Sequence, residues 1–211
     1  MPQFDDAHVK AENCYVIYEA IRKPETVKVS GKTKWHVRVA IHPSNPDFQL
    51  LTQLQNRELQ ASFNGTVPSG GTIPLQQLGP NDAGGAFNGW YQFYAGTYAR
   101  CPDLFVQREK NRSPERIDVM QIGDSLYAGQ IVDVLVHAYS NREGRRGVAF
   151  GIDGLNIKLC ENAQRLQLGG SGAPQVDTSS AFGATSAPQQ QQAAPMQAAP
   201  MQAHNYLPGQ Q

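Results

Sequence analysis

The chain has 211 residues, with 18 lysines and arginines against 18 aspartates and glutamates, and its formal net charge of zero excludes a global basic field as the basis of any polyanion binding. Every cation lies before residue 166, and so do all the acids except Asp177, so charge stops where the fold is expected to stop. No apolar run reaches the ~18 residues of a membrane span, the start MPQFDDAHVKAEN lacks the apolar core of a secretory signal, and Cys14, Cys101 and Cys160 never form a CxxC, which together lead to the expectation of a soluble protein of a reducing, intracellular compartment.

In chain order, the first clear element is TVKVSGKTKWHVRVAI, two alternating runs around Ser30-Gly31-Lys32-Thr33 that predict a β-hairpin. Its second arm sets Trp35, Val37, Val39 and Ile41 on a core face and Lys34, His36 and Arg38 on a cationic one. Asp47, after Pro46, is suited to cap a short amphipathic helix near 47–60 carrying Phe48, Leu51, Leu54 and Leu59. Residues 64–89 are rich in Gly, Pro and Asn and read as a long loop, a kind that is often functional.

The segment WYQFYAGTYAR then carries Trp90, Tyr91, Phe93, Tyr94 and Tyr98, so rings fall on both faces of the strand and a core can bury only one of them. VQREKNRSPER is a polar basic turn before a strand candidate, IDVMQI. A long strand follows, with Val132, Val134 and Val136 inward and Asp133, Leu135, His137 and Tyr139 opposite. It leads through Arg142, Arg145 and Arg146 into GVAFGID, where Val148, Phe150 and Ile152 face one side and Gly147, Ala149 and Gly151 leave the other nearly bare. A bare strand face admits either a crossing strand at a barrel corner or a ligand chain. From Gly169 the composition turns to Gln, Ala, Pro, Gly and Ser, with too little apolar mass to offset chain entropy, so the tail is expected to be disordered.

Catalytic motifs fail on inspection. The GKT at 31–33 lacks the leading glycine of a phosphate loop, Thr26 standing there instead. No Gly-x-Ser-x-Gly elbow occurs, the acids are scattered apart from Asp5-Asp6, and the five histidines are dispersed with no zinc-ligand spacing. The expectation is a protein without catalysis, cofactor or metal. What remains is interleaving, in which strands with an apolar inner face carry cations and rings outside. That is the chemistry of unpaired nucleic acid, where bases stack on rings and cations follow phosphates.

The run GDSLYAGQIVDVLVHAYSNREGRRGVAFGIDGLNIKLCENAQRLQLGG resembles the closing segment of a family of bacteriophage single-stranded-DNA-binding proteins, through Tyr127, Gly129, Gly147, Val148, Phe150, Gly151, Ile152, Gly169 and Gly170. The resemblance implies an OB-fold barrel that coats single-stranded DNA in phage replication or recombination, in the cytoplasm of an infected host, without catalysis or a required metal. The partners it implies are single-stranded DNA, phage or host replication proteins and further copies along the DNA, with no membrane. Such proteins often end in an acidic tail, whereas residues 171–211 hold one acid, Asp177, which leaves Met196, Met201, Tyr206 and Leu207 as tail contacts.

The expected fold is mainly β, an OB-fold-like barrel over residues 1–170 with one short helix, followed by a disordered Gln/Ala/Pro-rich tail over 171–211. The stacking candidates are Trp35, Trp90, Tyr91, Phe93, Tyr94 and Tyr139, some of which the core must claim, since Trp35 alternates with Val37 and Val39. The phosphate candidates are Lys34, Arg38, Arg100, Arg108, Arg112, Arg142, Arg145 and Arg146. The rival class is a phage structural or interaction β-domain whose tail is adhesive, and a third is an enzyme whose site is assembled only by the fold.

Overall fold

The computed structural model describes residues 7–28, 30–142 and 146–166. The expected tail and Arg145 therefore lie outside the described residues. Alternating apolar positions build β1 (His8–Thr26), β2 (Thr33–Ile41), β4 (Tyr91–Thr97), β7 (Ile131–Asn141) and β8 (Gly147–Lys158), with α1 (Pro46–Phe63) and the short β3 (Gln76–Gln77), β5 (Asp103–Gln107) and β6 (Glu115–Ile117) between them.

Pairing closes the five long strands on themselves. β1 runs antiparallel to β2 (Val16↔Val39) and to β7 (Val9↔Val136), β2 to β4 (Val39↔Phe93) and β7 to β8 (Val134↔Leu155), while a parallel bridge, Ala95↔Phe150, joins β4 to β8. Counting these five in chain order gives the closed sequence 1-2-3-5-4-1, the Greek-key barrel of the OB-fold. The β5–β6 hairpin extends the sheet from β8, through the parallel register Leu104↔Leu155.

The inner faces carry the apolar residues their alternation requires. Val132, Val134 and Val136 meet Val37, Val39, Phe93, Phe150 and Ile152 in one core, which Leu51 and Leu54 of α1 join. Leu78 and Phe87, from the segment expected to be a loop, form a second cluster with Ile17 and Ala40, so that segment is partly core. No described helix is long and apolar enough to cross a membrane.

Three local expectations change. Asn45, with Pro46 behind it, caps α1 by accepting from the Asp47 amide at 2.9 Å, and the Asp47 carboxylate instead accepts from the Glu12 amide at 2.8 Å. The strand expected over IDVMQI ends at Ile117; Asp118 then caps a turn of 3-10 helix, Val119–Gln121, in a capping box with Gln121. The first hairpin arm is far longer than its alternation suggests, because β1 shifts register at Ala11/Cys14, Val16/Tyr18 and Ala20/Glu25. Each bulge turns the pattern over, so no single period runs through the strand.

The bulge at residues 12–13 explains a buried acid. Asn13 adopts φ 54°, and its amide donates to Asp133 Oδ1 at 3.0 Å. Asn156 Nδ2 donates to Asp133 Oδ2 at 2.9 Å, and Lys158 Nζ stands 3.3 Å from Oδ1. Asp133, expected on the outer face, is thus buried at the junction of β1, β7 and β8.

Candidate functional site

The outer face of β2 meets the outer face of β4 in strict register, Arg38 opposite Tyr94 and His36 opposite Gly96. Arg38 Nε donates to Gln92 Oε1 at 2.6 Å, which ties the guanidinium to the neighbouring strand β4. Gly96 is bare for a reason: a Cβ there would press on His36 Cβ and on the Tyr94 ring, at 3.1 and 3.2 Å. Without it, the Tyr94 and His36 rings approach to 4.7 Å between centroids, and Tyr18 covers the far side of His36 at 5.5 Å. Lys34 Nζ stands 4.6 Å from the centre of the Tyr94 ring and 5.2 Å from that of Tyr98.

His36, expected among the exposed cations, is only 4% exposed. Desolvation lowers its pKa, against the opposing pull of Glu25, whose Oε2 lies 3.1 Å from Nε2 without the alignment of a hydrogen bond. The ring is therefore a neutral spacer at pH 7. Burial pushes the phenols of Tyr94 and Tyr139 up, so both remain uncharged and repel no anion.

Lys34, Arg38, Gln92, Tyr94 and Tyr98 line a groove of about 1130 Å3, large for a small-molecule pocket. Lys34 and Arg38 come from β2, Tyr94 and Tyr98 from β4 and the turn after it, His137 and Tyr139 from β7, and the floor includes Ala149 and Gly151 of β8. Among the described residues, its lining contains no carboxylate. Arg142 and Arg146, both exposed, stand where β7 ends and β8 begins, next in sequence to Asn141 and within two residues of Val148, respectively, which line the groove.

The bare face of β8 has two explanations, one at each glycine. At Gly147 (φ 146°) the chain at Thr72 crosses, its amide donating to Arg146 O at 3.0 Å and its carbonyl accepting from the Val148 amide at 3.1 Å, where any Cβ would overlap the Thr72 backbone. At Gly151 the His137 ring occupies the space that a Cβ would need. Ala149, between them, faces the open groove.

The other candidates are dispersed. Phe93 is fully buried, edge-on to Phe150 at 5.7 Å, so its ring is unavailable for stacking. Trp35 packs on the main core, Tyr91 lies against Phe48 of α1 at 4.6 Å, and Trp90 belongs to the second cluster beside Tyr15, Phe87 and His42. Arg100, Arg108 and Arg112 lie near or on the β5–β6 hairpin beside Asp103, Glu115 and Glu109, at 3.9, 3.9 and 3.0 Å, and none lines the groove. The groove thus gathers Lys34, Arg38, Tyr94 and Tyr139 of the expected set, and its lining also includes the buried Phe93. It adds Tyr98, Gln92 and His137, of which Tyr98 was signalled by the density of rings at 90–98.

No family model matches the sequence, and no curated protein sequence matches it. Among solved structures, the chain is similar to the single-stranded DNA-binding protein from bacteriophage Enc34 in complex with single-stranded DNA, with a TM-score of 0.59 and 15% identity over 72% of this chain and 86% of that one. The same phage protein without DNA aligns with a TM-score of 0.59 and 16% identity, over 84% of this chain and 91% of its own. At such identity the likeness concerns the fold, and the OB-fold barrel implied by the family resemblance is the one observed.

Proposed function

We propose that this chain binds single-stranded DNA along the groove between β2–β4 and β7–β8, without sequence preference and without catalysis. The observation that carries the reading is the pairing of Lys34 with the Tyr94 and Tyr98 rings in a groove whose described lining holds no carboxylate, on the strand 2–3 face that OB barrels use for oligonucleotides. Unpaired bases stack on neutral rings while Lys34, Arg38, Arg142 and Arg146 meet the phosphates, so a chain of zero net charge still presents a local cationic track. The likeness to a DNA-bound phage protein supports the same ligand. On this reading residues 1–170 form the binding domain, residues 171–211 are dispensable for it, and the biological setting is phage DNA replication or recombination.

The test is fluorescence anisotropy of labelled oligo-dT and of duplex DNA at two salt concentrations. The single strand binds more tightly, and its logarithmic affinity falls with salt by ~0.7 per phosphate neutralised. Equal affinity for both forms, or none for the single strand, overturns the proposal.

A further inference from the structure

His8, His137 and Asp153 are far apart in sequence, and the barrel brings them to one spot. His8 is the direct cross-strand partner of His137, and His137 is the direct partner of Gly151. The register of β7 against β8 shifts between Leu135 and Val136, leaving Asp153 as the extra residue of a bulge, and a bulge re-aims its side chain. The missing Cβ at Gly151 makes room for the His137 imidazole to lie over β8 and reach that carboxylate. His137 Nδ1 stands 2.6 Å from Asp153 Oδ2, and His8 Nε2 stands 3.6 Å from the same oxygen.

We propose that His8, His137 and Asp153 form a binding site for a divalent transition-metal ion of the zinc type. The three donor atoms all lie within 4.8 Å of one another. Around tetrahedral zinc, with bonds of ~2.0–2.1 Å, neighbouring donors are about 3.3 Å apart. The His8–Asp153 separation already has that value within a few tenths of an ångström, and the His137–Asp153 pair opens by less than about 1 Å to match it. The side chains are 34%, 37% and 35% exposed, so an ion from solvent reaches them. Two imidazoles and one carboxylate suit zinc, cobalt or nickel, whereas calcium and magnesium take mostly oxygen donors. Three protein ligands leave one position for water, on a cluster whose His137 also lines the groove.

The site goes beyond the DNA-binding reading, and its test uses no DNA, so either proposal fails without the other. Full-length protein is stripped with chelator and titrated with Zn2+ by calorimetry, and with Co2+ by visible absorption. One Zn2+ binds per chain, and His8→Ala, His137→Gln and Asp153→Asn each weaken it at least ~10-fold with an unchanged circular dichroism spectrum. His8→Ala, at the first residue of β1, keeps the test informative if a substitution deeper in the sheet disturbs folding. No saturable Zn2+ binding, an affinity in all three variants equal to that of the native chain, or a thiolate charge-transfer band in the Co2+ spectrum overturns the proposal.

Discussion

Lys34 Nζ lies between two rings, 4.6 Å from the centre of Tyr94 and 5.2 Å from that of Tyr98, on the wall of a groove whose described lining contains no carboxylate. A base that stacks on either tyrosine brings its phosphate within reach of that ammonium. Tyr94→Leu and Tyr98→Ala are each expected to weaken oligo-dT binding by roughly 1–3 kcal/mol. Lys34→Gln should lower the salt slope by ~0.7 and weaken all sequences alike. Anisotropy titrations at several salt concentrations measure both; unchanged affinity in Tyr94→Leu removes that ring from the site.

Trp35 and Trp90 are packed away from the groove, whereas Tyr98 and Tyr139 are 46% and 39% exposed within it. Saturating oligo-dT should therefore quench tyrosine emission and leave tryptophan emission, excited selectively, nearly constant. Strong tryptophan quenching instead places the DNA elsewhere on the barrel.

His36 is buried and its pKa is lowered by desolvation, so the unfolded chain binds its proton more readily than the folded one. Its contribution to stability is fully present above the unfolded value of about 6.5 and is lost as pH falls from there toward the folded pKa. Urea unfolding at a series of pH values should show this decline in the native protein, and His36→Phe, which keeps a ring between Tyr18 and Tyr94, should flatten it. An identical pH profile in the variant assigns the decline to other groups.

Asp133 answers the β1 bulge, Asn156 and Lys158 at once, and its side chain is 5% exposed. Asp133→Ala leaves the Lys158 ammonium and the Asn13 amide without that carboxylate, at an expected loss of about 3–5 kcal/mol in urea unfolding. Binding of oligo-dT, measured where the variant is still folded, should be close to that of the native chain. A loss below about 1 kcal/mol shows that water replaces the carboxylate.

Removing residues 171–211 is expected to change oligo-dT affinity by less than about twofold, since the track of rings and cations lies within 34–151. A large loss gives the tail a share in the contact.

The barrel strands that keep one period were legible, as Val132, Val134 and Val136 and the lone-faced Val148, Phe150 and Ile152 show. β1 was mostly illegible because its three register shifts invert the pattern, and the two-residue β3 is too short to have a pattern. At the site, the interleaving of cations with rings pointed to the right strands but not to the right rings. Tyr91 and Phe93 share a face, yet one rests on Phe48 and the other fills the barrel centre, a distinction made by α1 and β8 far along the chain. His36 shows the same limit. Alternation sets it beside Lys34 and Arg38, and only Gly96 and Tyr18, from two other strands, turn an outward position into an interior one. The histidine grouping at β1 and β7 was invisible for the reverse reason, since spacing rules concern neighbours in sequence and these residues meet only across strands.

β1 is held on both sides, by β2, its neighbour in sequence, and by β7, in pairings such as Ala11↔Val134. The seam that completes the ring, Ala95↔Phe150, also joins strands far apart in sequence. Contacts of such long range make assembly slow, because chain ends must meet before anything rewards their meeting. During synthesis the first hairpin therefore waits with one edge open until β7 and β8 emerge. The groove, lined by residues of β2, β4, β7 and β8, is therefore complete only once β8 has been made.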